Sequence, residues 1–219
     1  MAEINLMDQY PRSKRPIEER GAVITEMHRE VARQFGKDFF DGDRLFGYGG
    51  FNYHPRFWQD TVKRLRDHYN LANNATILDV GGAKGFMLYD FTEVMPEVTV
   101  AGIEISQYAL DNCMERVRPF LRQGNAKELP YKDNTFDMVV SINTVHNLAI
   151  EECKQAIREI ERVSRGNSFI MVDAWRNDRE KDLMMKWVLT GLTMMGVEEW
   201  RNLFEEVEYS GDYYWFLPE

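Results

Sequence analysis

Between residues 76 and 174 short apolar runs alternate with stretches of helical periodicity, and this alternation constrains the fold more than any other feature. The runs are T-I-L-D-V (76–80), V-T-V-A-G-I-E (98–104), F-D-M-V-V-S-I (136–142) and S-F-I-M-V-D-A (168–174), with a weaker F-L-R-Q at 120–123. The helical stretches fall near 85–95, 106–118 and 150–164. Strands separated by helices of this length pair side by side in parallel, with helices on both faces. The strands are nearly continuous in apolar residues, as burial on both faces requires. Two further helices, near 178–191 and 197–206, and an aromatic strand, D-Y-Y-W-F-L at 212–217, complete the pattern. In open α/β sheets ligands collect at the carboxyl ends of the strands. Candidate site residues are therefore sought there.

The first third of the chain reads differently. Its first fifteen residues are polar and are expected to be mobile. Pro16 can open a helix, and Ile24, Met27, Val31 and Phe35 follow at helical spacing until Gly36. The segment D-G-D-R-L-F-G-Y-G-G-F-N-Y-H-P (41–55) has no period and reads as a loop. A second helix carries Trp58, Val62, Leu65 and Tyr69 on one face. Toward the other end, Leu183, Met184, Trp187, Leu189, Met194 and Met195 read as core packing.

Bulk properties remove several functions. A chain of 219 residues with 44% hydrophobic residues suits one globular domain. We divide it into an N-terminal helical extension and lid (1–72) and a nucleotide-binding domain (73–219), packed as one body. No run is apolar enough to span a bilayer, and the N-terminus lacks the pattern of a secretory signal. A cytoplasmic protein without a membrane partner is expected. The two cysteines, Cys113 and Cys153, read as free thiols. The net charge of -9 disfavours nucleic-acid partners. Residues 1–75 carry 12 Lys/Arg against 11 Asp/Glu, while 76–219 carry 15 against 25, so affinity for an anionic small molecule belongs to the first third.

The turn I-L-D-V-G-G-A-K-G-F-M-L (77–88) marks a nucleotide-binding crossover. The dinucleotide fingerprint G-x-G-x-x-G fails twice, at Ala83 and Phe86, and no Walker loop is present. What remains is an acid, a turn of small residues and a glycine. L-D-V-G-G-A-K-G (78–85), G-I-E-I-S (102–106), G-N-A-K-E-L-P-Y-K-D-N-T-F-D (124–137) and S-I-N-T-V-H-N-L (141–148) together resemble, in order and spacing, the motifs of class I S-adenosylmethionine (SAM)-dependent methyltransferases, most similar to the small-molecule branch. The resemblance covers residues 76 to about 174 well.

The resemblance implies an α/β fold of Rossmann-like, three-layer type. It would have a mostly parallel seven-stranded sheet with an antiparallel C-terminal strand, plus the N-terminal extension. It implies SAM as cofactor, S-adenosylhomocysteine as product, and a cofactor site at Asp79, Gly81, Gly82, Ala83, Gly85, Glu104, Ile105, Asn125, Ala126, Asn143 and Thr144. Glu104, at the tip of the second strand, suits bidentate acceptance from ribose hydroxyls. Asp79 holds the turn or reaches the methionine ammonium. Ala83 stands where the family has glycine, so its backbone is expected to avoid positive φ. Asn125 stands where the family has Asp against the adenine amino group, and its oxygen can still accept that bond.

Methyl transfer to a hydroxyl or ammonium also needs a base. His146, just past the fourth strand, is the candidate, since histidine titrates near neutrality. Asp173 and Trp175, at the tip of the fifth, are candidates for the acceptor pocket. In the glycine-rich loop, Tyr48 is expected to cover the sulfonium as part of a lid. Tyr10 and Tyr53 join it on the substrate side, and Arg12, with Lys14, Arg15, Arg44 and Arg56, would clamp an anionic group. The histidines are scattered, so no metal site is expected. The expected activity is transfer of a methyl group to oxygen or nitrogen of a small polar metabolite, neutral or anionic, such as a sugar, sugar nucleotide, amino acid or natural-product intermediate, by a monomer or homodimer. The alternatives are a non-catalytic SAM-binding subunit and a nicotinamide-dependent oxidoreductase.

Overall fold

The apolar runs become β1 (Thr76–Val80), β2 (Thr99–Glu104), β3 (Leu121–Gln123), β4 (Met138–Ile142) and β5 (Ser168–Trp175), followed by β6 (Met195–Gly196) and β7 (Asp212–Phe216). They lie in the order β3-β2-β1-β4-β5, with β6 and β7 both beyond β5. The structure is a computed structural model that describes residues 1–11 and 16–217. The helices are α1 (Ile17–Val23), α2 (Glu26–Ala32), α3 (Lys37–Asp41), α4 (Gln59–His68), α5 (Phe86–Val94), α6 (Gln107–Asp111), α7 (Ile150–Val163), α8 (Asp178–Trp187) and α9 (Val197–Glu206).

Alternation along each strand sends successive side chains to opposite faces, and each face has its own core. Leu78, Val80, Ile170 and Val172 pack on one side against α7 and α9, where Ile157, Trp200 and Phe204 are fully buried. Ile77, Met138 and Phe169 pack on the other against α4 and α5, through Val62, Leu65, Leu88 and Phe91. Helix α7 buries Cys153, Ala156, Ile157, Ile160 and Val163, a stripe at helical spacing. Cys113 and Cys153 are free and buried.

The expected antiparallel C-terminal strand is overturned. Strand β7 pairs with β5 in parallel, from Phe169↔Asp212 to Asp173↔Phe216. The reason is the connection. Helix α9 separates β6 from β7 and carries the chain back to the end of the sheet where β5 began. A strand starting there runs parallel, as in any β–α–β unit. The single N-terminal helix is also overturned. It breaks at Ile24, because Thr25 starts a new helix in a capping box with His28. Nor does the extreme N-terminus stand free. Ile4 N donates to Tyr213 O (2.9 Å) and Tyr213 N to Ala2 O (3.0 Å), which covers the open edge of β7. Leu6 is buried in the core cluster with Val62 and Leu65. The helix expected over 106–118 stops at Asp111, because Met114 N bonds to Lys84 O at 2.9 Å instead of continuing the helical ladder.

Helices α1 and α8 meet at Gly21. A Cβ there would lie 2.6 Å from the Lys186 Cβ, so the contact requires glycine. It places the Arg20 guanidinium where its Nη1 donates to Trp187 O at 2.8 Å. Gly21→Ala tests this packing. Helix propensity favours alanine by about 1 kcal/mol, while overpacking costs about 1–3 kcal/mol. The variant is expected to lose stability in thermal unfolding and to exchange its α1 amides faster. A gain in stability would show that α1 does not seat on α8.

Candidate cofactor and acceptor site

The chain leaves β1 at Val80 and turns sharply, with the N–H groups of Gly81 and Gly82 both donating to Ile103 O (2.8 and 3.2 Å). Gly81 has φ +88°, and a Cβ there would stand 2.1 Å from Thr144 Oγ1. Ala83 departs from expectation, with φ +47°. A left-handed alanine is unfavourable by about 1–2 kcal/mol. Its N–H, however, donates to Glu104 Oε2 at 2.8 Å. A hydrogen bond to a charged group is worth about 1.5–3 kcal/mol net and offsets the strain.

Glu104 Oε1 accepts from Ser106 N at 2.8 Å. Backbone donors from Ser106, Ala83 and Ile105 occupy most of this carboxylate's acceptor directions and leave about one for a ligand. Burial raises its pKa, and the backbone donors pull it back only in part. Asp79 lies beneath the turn, where a Gly82 Cβ would be 3.2 Å from its Oδ2. Burial first, and the charge of Glu104 second, push its pKa up to about 8.

The glycine-rich segment folds over this turn. Lys84, buried within it, donates to Asp41 Oδ2 (2.6 Å) and to Phe51 O (2.9 Å). Tyr108 Oη donates to the same Asp41 oxygen at 2.8 Å. Tyr48 packs on Phe51 with ring centroids 4.3 Å apart, tilted by 37°, and meets the edge of Phe39 at 5.1 Å. Lid and turn are thus joined by the Lys84–Asp41 ion pair and by Phe51 stacked on Phe86 at 4.9 Å.

Beneath the lid lies a cavity of about 310 Å³ across the strand tips. Gly81, Ala83, Glu104, Ile105, Asn125 and Ala126 line its β1–β2 side, and Asn143 and Thr144 lie at the tip of β4. His146, Asp173, Trp187, Leu189 and Phe216 line the β4–β5–β7 side. Adjacent strands are about 4.8 Å apart, so the two sides of the cavity are walled by different strand tips. His146 Nε2 is 3.5 Å from Asp173 Oδ2. Burial lowers the His146 pKa against the pull of the Asp173 charge, and burial raises that of Asp173 against the pull of His146. The amide oxygens of Asn143 and Asn147 are buried on this wall without a partner among the described residues. Each such orphan costs about 1–3 kcal/mol unless a ligand donates to it. An ammonium and an amino group, both carried by SAM, are donors of that kind, so the wall fits the cofactor.

Several expected residues stand elsewhere. Asp79, Gly82 and Gly85 lie behind the wall. Tyr10 packs on Phe57 and Trp58 at 5.4 and 4.9 Å. Tyr53 gives its hydroxyl to Asp90 Oδ1 at 2.7 Å, with its ring edge-on to Tyr89. Trp175 lies under the Lys181 ammonium, 5.4 Å from its ring. The substrate role expected of these three has no support in their placement, because each ring is committed to packing outside the cavity. Arg44 and Arg56 are exposed and do not line it, and Arg12, Lys14 and Arg15 lie outside the described residues. Asn125 Oδ1 accepts from Lys127 N at 3.1 Å, which leaves one lone pair for a ligand.

The sequence reading missed Arg20, Phe39 and Phe216 on the wall, and took Trp187 and Leu189 for core. No local motif marks them, since helix packing and the parallel β7 bring them there. Among the described residues no group of three or more His, Cys, Asp or Glu is arranged to hold a metal.

Comparison with known proteins agrees with this geometry. A family model described as a methyltransferase domain matches residues 71–214. The chain belongs to the class I SAM-dependent methyltransferases. It is 30% identical over 133 residues to the tRNA (carboxymethyluridine(34)-5-O)-methyltransferase of Arabidopsis thaliana, covering 60% of this chain and 31% of that protein. It is 30% identical over 150 residues to the demethylmenaquinone methyltransferase of Halalkalibacterium halodurans, covering 65% of this chain and 59% of that one. The chain therefore spans between 31% and 59% of the length of these two relatives. The solved structure of the YcgJ protein of Bacillus subtilis shares the fold with a TM-score of 0.55 at 17% identity, over 67% of this chain and 66% of that one. A SAM-dependent methyltransferase of Methanosarcina mazei does so with a TM-score of 0.51 at 19% identity, over 64% and 82%.

Within this family fold, Asp79 gives a pH signature. Its folded pKa of about 8 exceeds the ordinary 3.8, so the folded state holds a proton that the unfolded state has released. Stability therefore falls as pH rises from about 4 to about 8. Asp79→Asn should remove that slope and raise the unfolding midpoint at pH 8 relative to wild type, with little change at pH 4.5. Parallel stability profiles of the two proteins would overturn the assignment.

Proposed function

We propose that the chain transfers a methyl group from SAM to an oxygen or nitrogen of a small acceptor. One observation carries this reading: the turn held by Glu104 and the His146–Asp173 pair open onto the same cavity. Bound SAM supplies a methyl group already activated by a positively charged sulfur. The protein then has to align the acceptor, exclude water and take a proton. Glu104 keeps acceptor capacity for a ribose hydroxyl beside its backbone donors. The lid aromatics Phe39 and Tyr48 close the cavity from above.

The walls of the β4–β5–β7 side, which we assign to the acceptor, favour a flatter and less polar acceptor than a sugar. Trp187, Val188, Leu189 and Phe216 are apolar, and Arg20 adds a guanidinium suited to a carboxylate. This combination supports an aromatic hydroxy or amino acid. The two relatives are named for different substrates, demethylmenaquinone and a tRNA uridine, so family membership does not choose the acceptor. The net charge of -9 supports an acceptor other than a nucleic acid.

Calorimetric titration with SAM and with NADH tests the cofactor. SAM consumption against 4-hydroxybenzoate, catechol, 4-aminobenzoate, amino acids, sugars and sugar nucleotides then tests the acceptor. Micromolar SAM binding with no NADH signal supports the reading, and failure to bind SAM overturns it. Glu104→Ala should weaken SAM by about 1–3 kcal/mol, the worth of its charge-assisted hydrogen bonds. An unchanged dissociation constant would remove Glu104 from the ribose.

A further inference from the structure

The geometry points to Asp173 as the group that takes the acceptor's proton, with His146 as its positioning partner, an inference that rests on the methyl-transfer reading above. Both side chains line the cavity, and their residues are only 5% and 2% exposed. The decisive contact is on the imidazole. Asp173 N donates to His146 Nδ1 at 3.4 Å. That bond occupies the Nδ1 lone pair, so the neutral ring carries its proton on Nε2. Nε2 in turn stands 3.5 Å from Asp173 Oδ2. Neither ring nitrogen of neutral His146 therefore offers a lone pair to an acceptor.

The ring is also held in place. The His146 carbonyl accepts from Leu192 N (3.0 Å) and Thr193 N (2.9 Å), which fixes its backbone. The backbone of Asp173 is fixed as well, by Trp200 Nε1 donating to its carbonyl at 3.1 Å. The Asp173 carboxylate, by contrast, accepts no backbone or hydroxyl hydrogen bond among the described residues, which leaves its oxygens for the acceptor and for His146. Burial raises its pKa, which makes it a better base than an exposed carboxylate.

The step balances. The acceptor O–H bond breaks and its proton passes to a carboxylate oxygen of Asp173. The oxygen lone pair forms the bond to the methyl carbon. The methyl–sulfur bond breaks and its electron pair stays on sulfur, which becomes a neutral thioether. A carboxylate and a sulfonium go in, and a carboxylic acid and a thioether come out. Loss of both charges together is favourable in a cavity shielded from water. The acid returns its proton to solvent after product leaves. The other charged or titratable side chains on the cavity wall are Arg20, Glu104 and Tyr48.

The test uses Asp173→Asn, His146→Ala and His146→Gln, each first titrated with SAM. Binding within about threefold of wild type is expected for all three. A wild type that does not bind SAM sinks the methyl-transfer reading and this assignment with it, whereas SAM binding with the wrong His146 tautomer overturns this assignment alone. Nitrogen-15 NMR of the labelled, S-adenosylhomocysteine-saturated chain then reads the His146 tautomer without any acceptor. A neutral Nε2–H ring from pH 6 to 8 is expected. An Nδ1–H ring, or an imidazolium, overturns the proposal. With 4-hydroxybenzoate as probe, Asp173→Asn should lower turnover 100-fold or more. His146→Ala should lower it less, and His146→Gln, which restores an N–H toward Asp173, should recover to within about tenfold of wild type. A rate that collapses in His146→Gln but survives in Asp173→Asn would return the base to His146. If 4-hydroxybenzoate is not turned over, the tautomer alone decides.

Discussion

The site depends on a carboxylate that serves the backbone before it serves any ligand. Glu104, at the end of β2, accepts from Ala83 N in the neighbouring turn and from Ser106 N in its own chain. These bonds compensate a left-handed alanine and hold two loops at a fixed separation. A charged acceptor inside a folded turn is rigid, because moving it would strand two buried N–H groups. The donor-binding half of the cavity is therefore shaped in advance of binding, and the entropy of ordering it is met during folding.

Most of the framework was legible from local pattern. Period and length assigned β1, β2, β4 and β5, and the turn after β1 and the acid after β2 followed from motif order. Most of the differences are non-local in origin. The direction of β7 depends on α9 lying between it and β6, and that is a property of connection. Ala83 took positive φ because of a partner 21 residues away, which propensity does not see. The break at Ile24 was readable, since Thr25 and His28 form a local capping pattern, but the apolar spacing across it masked the signal. Arg20 and Phe216 reach the cavity only by tertiary packing.

The two halves of the cavity differ in kind. The β1–β2 half is built of backbone and short side chains, and its chemistry is set by hydrogen bonds at defined positions. The β4–β5–β7 half is walled by large side chains from α8, the segment after it and β7. Contacts of that second type depend on shape and area, and substitution changes them gradually. The first half therefore depends on individual hydrogen bonds at fixed positions, and the second on the combined shape of several large side chains.

Lys84 belongs to the cofactor turn, and Asp41 and Phe51 belong to the lid. To open, the lid must withdraw a carboxylate and a carbonyl from a buried ammonium, and that same act loosens the turn beneath the cofactor. Covering and gripping are one movement. The two therefore cannot be displaced independently: a shift of either segment is felt by the other through an ion pair whose members do not line the cavity.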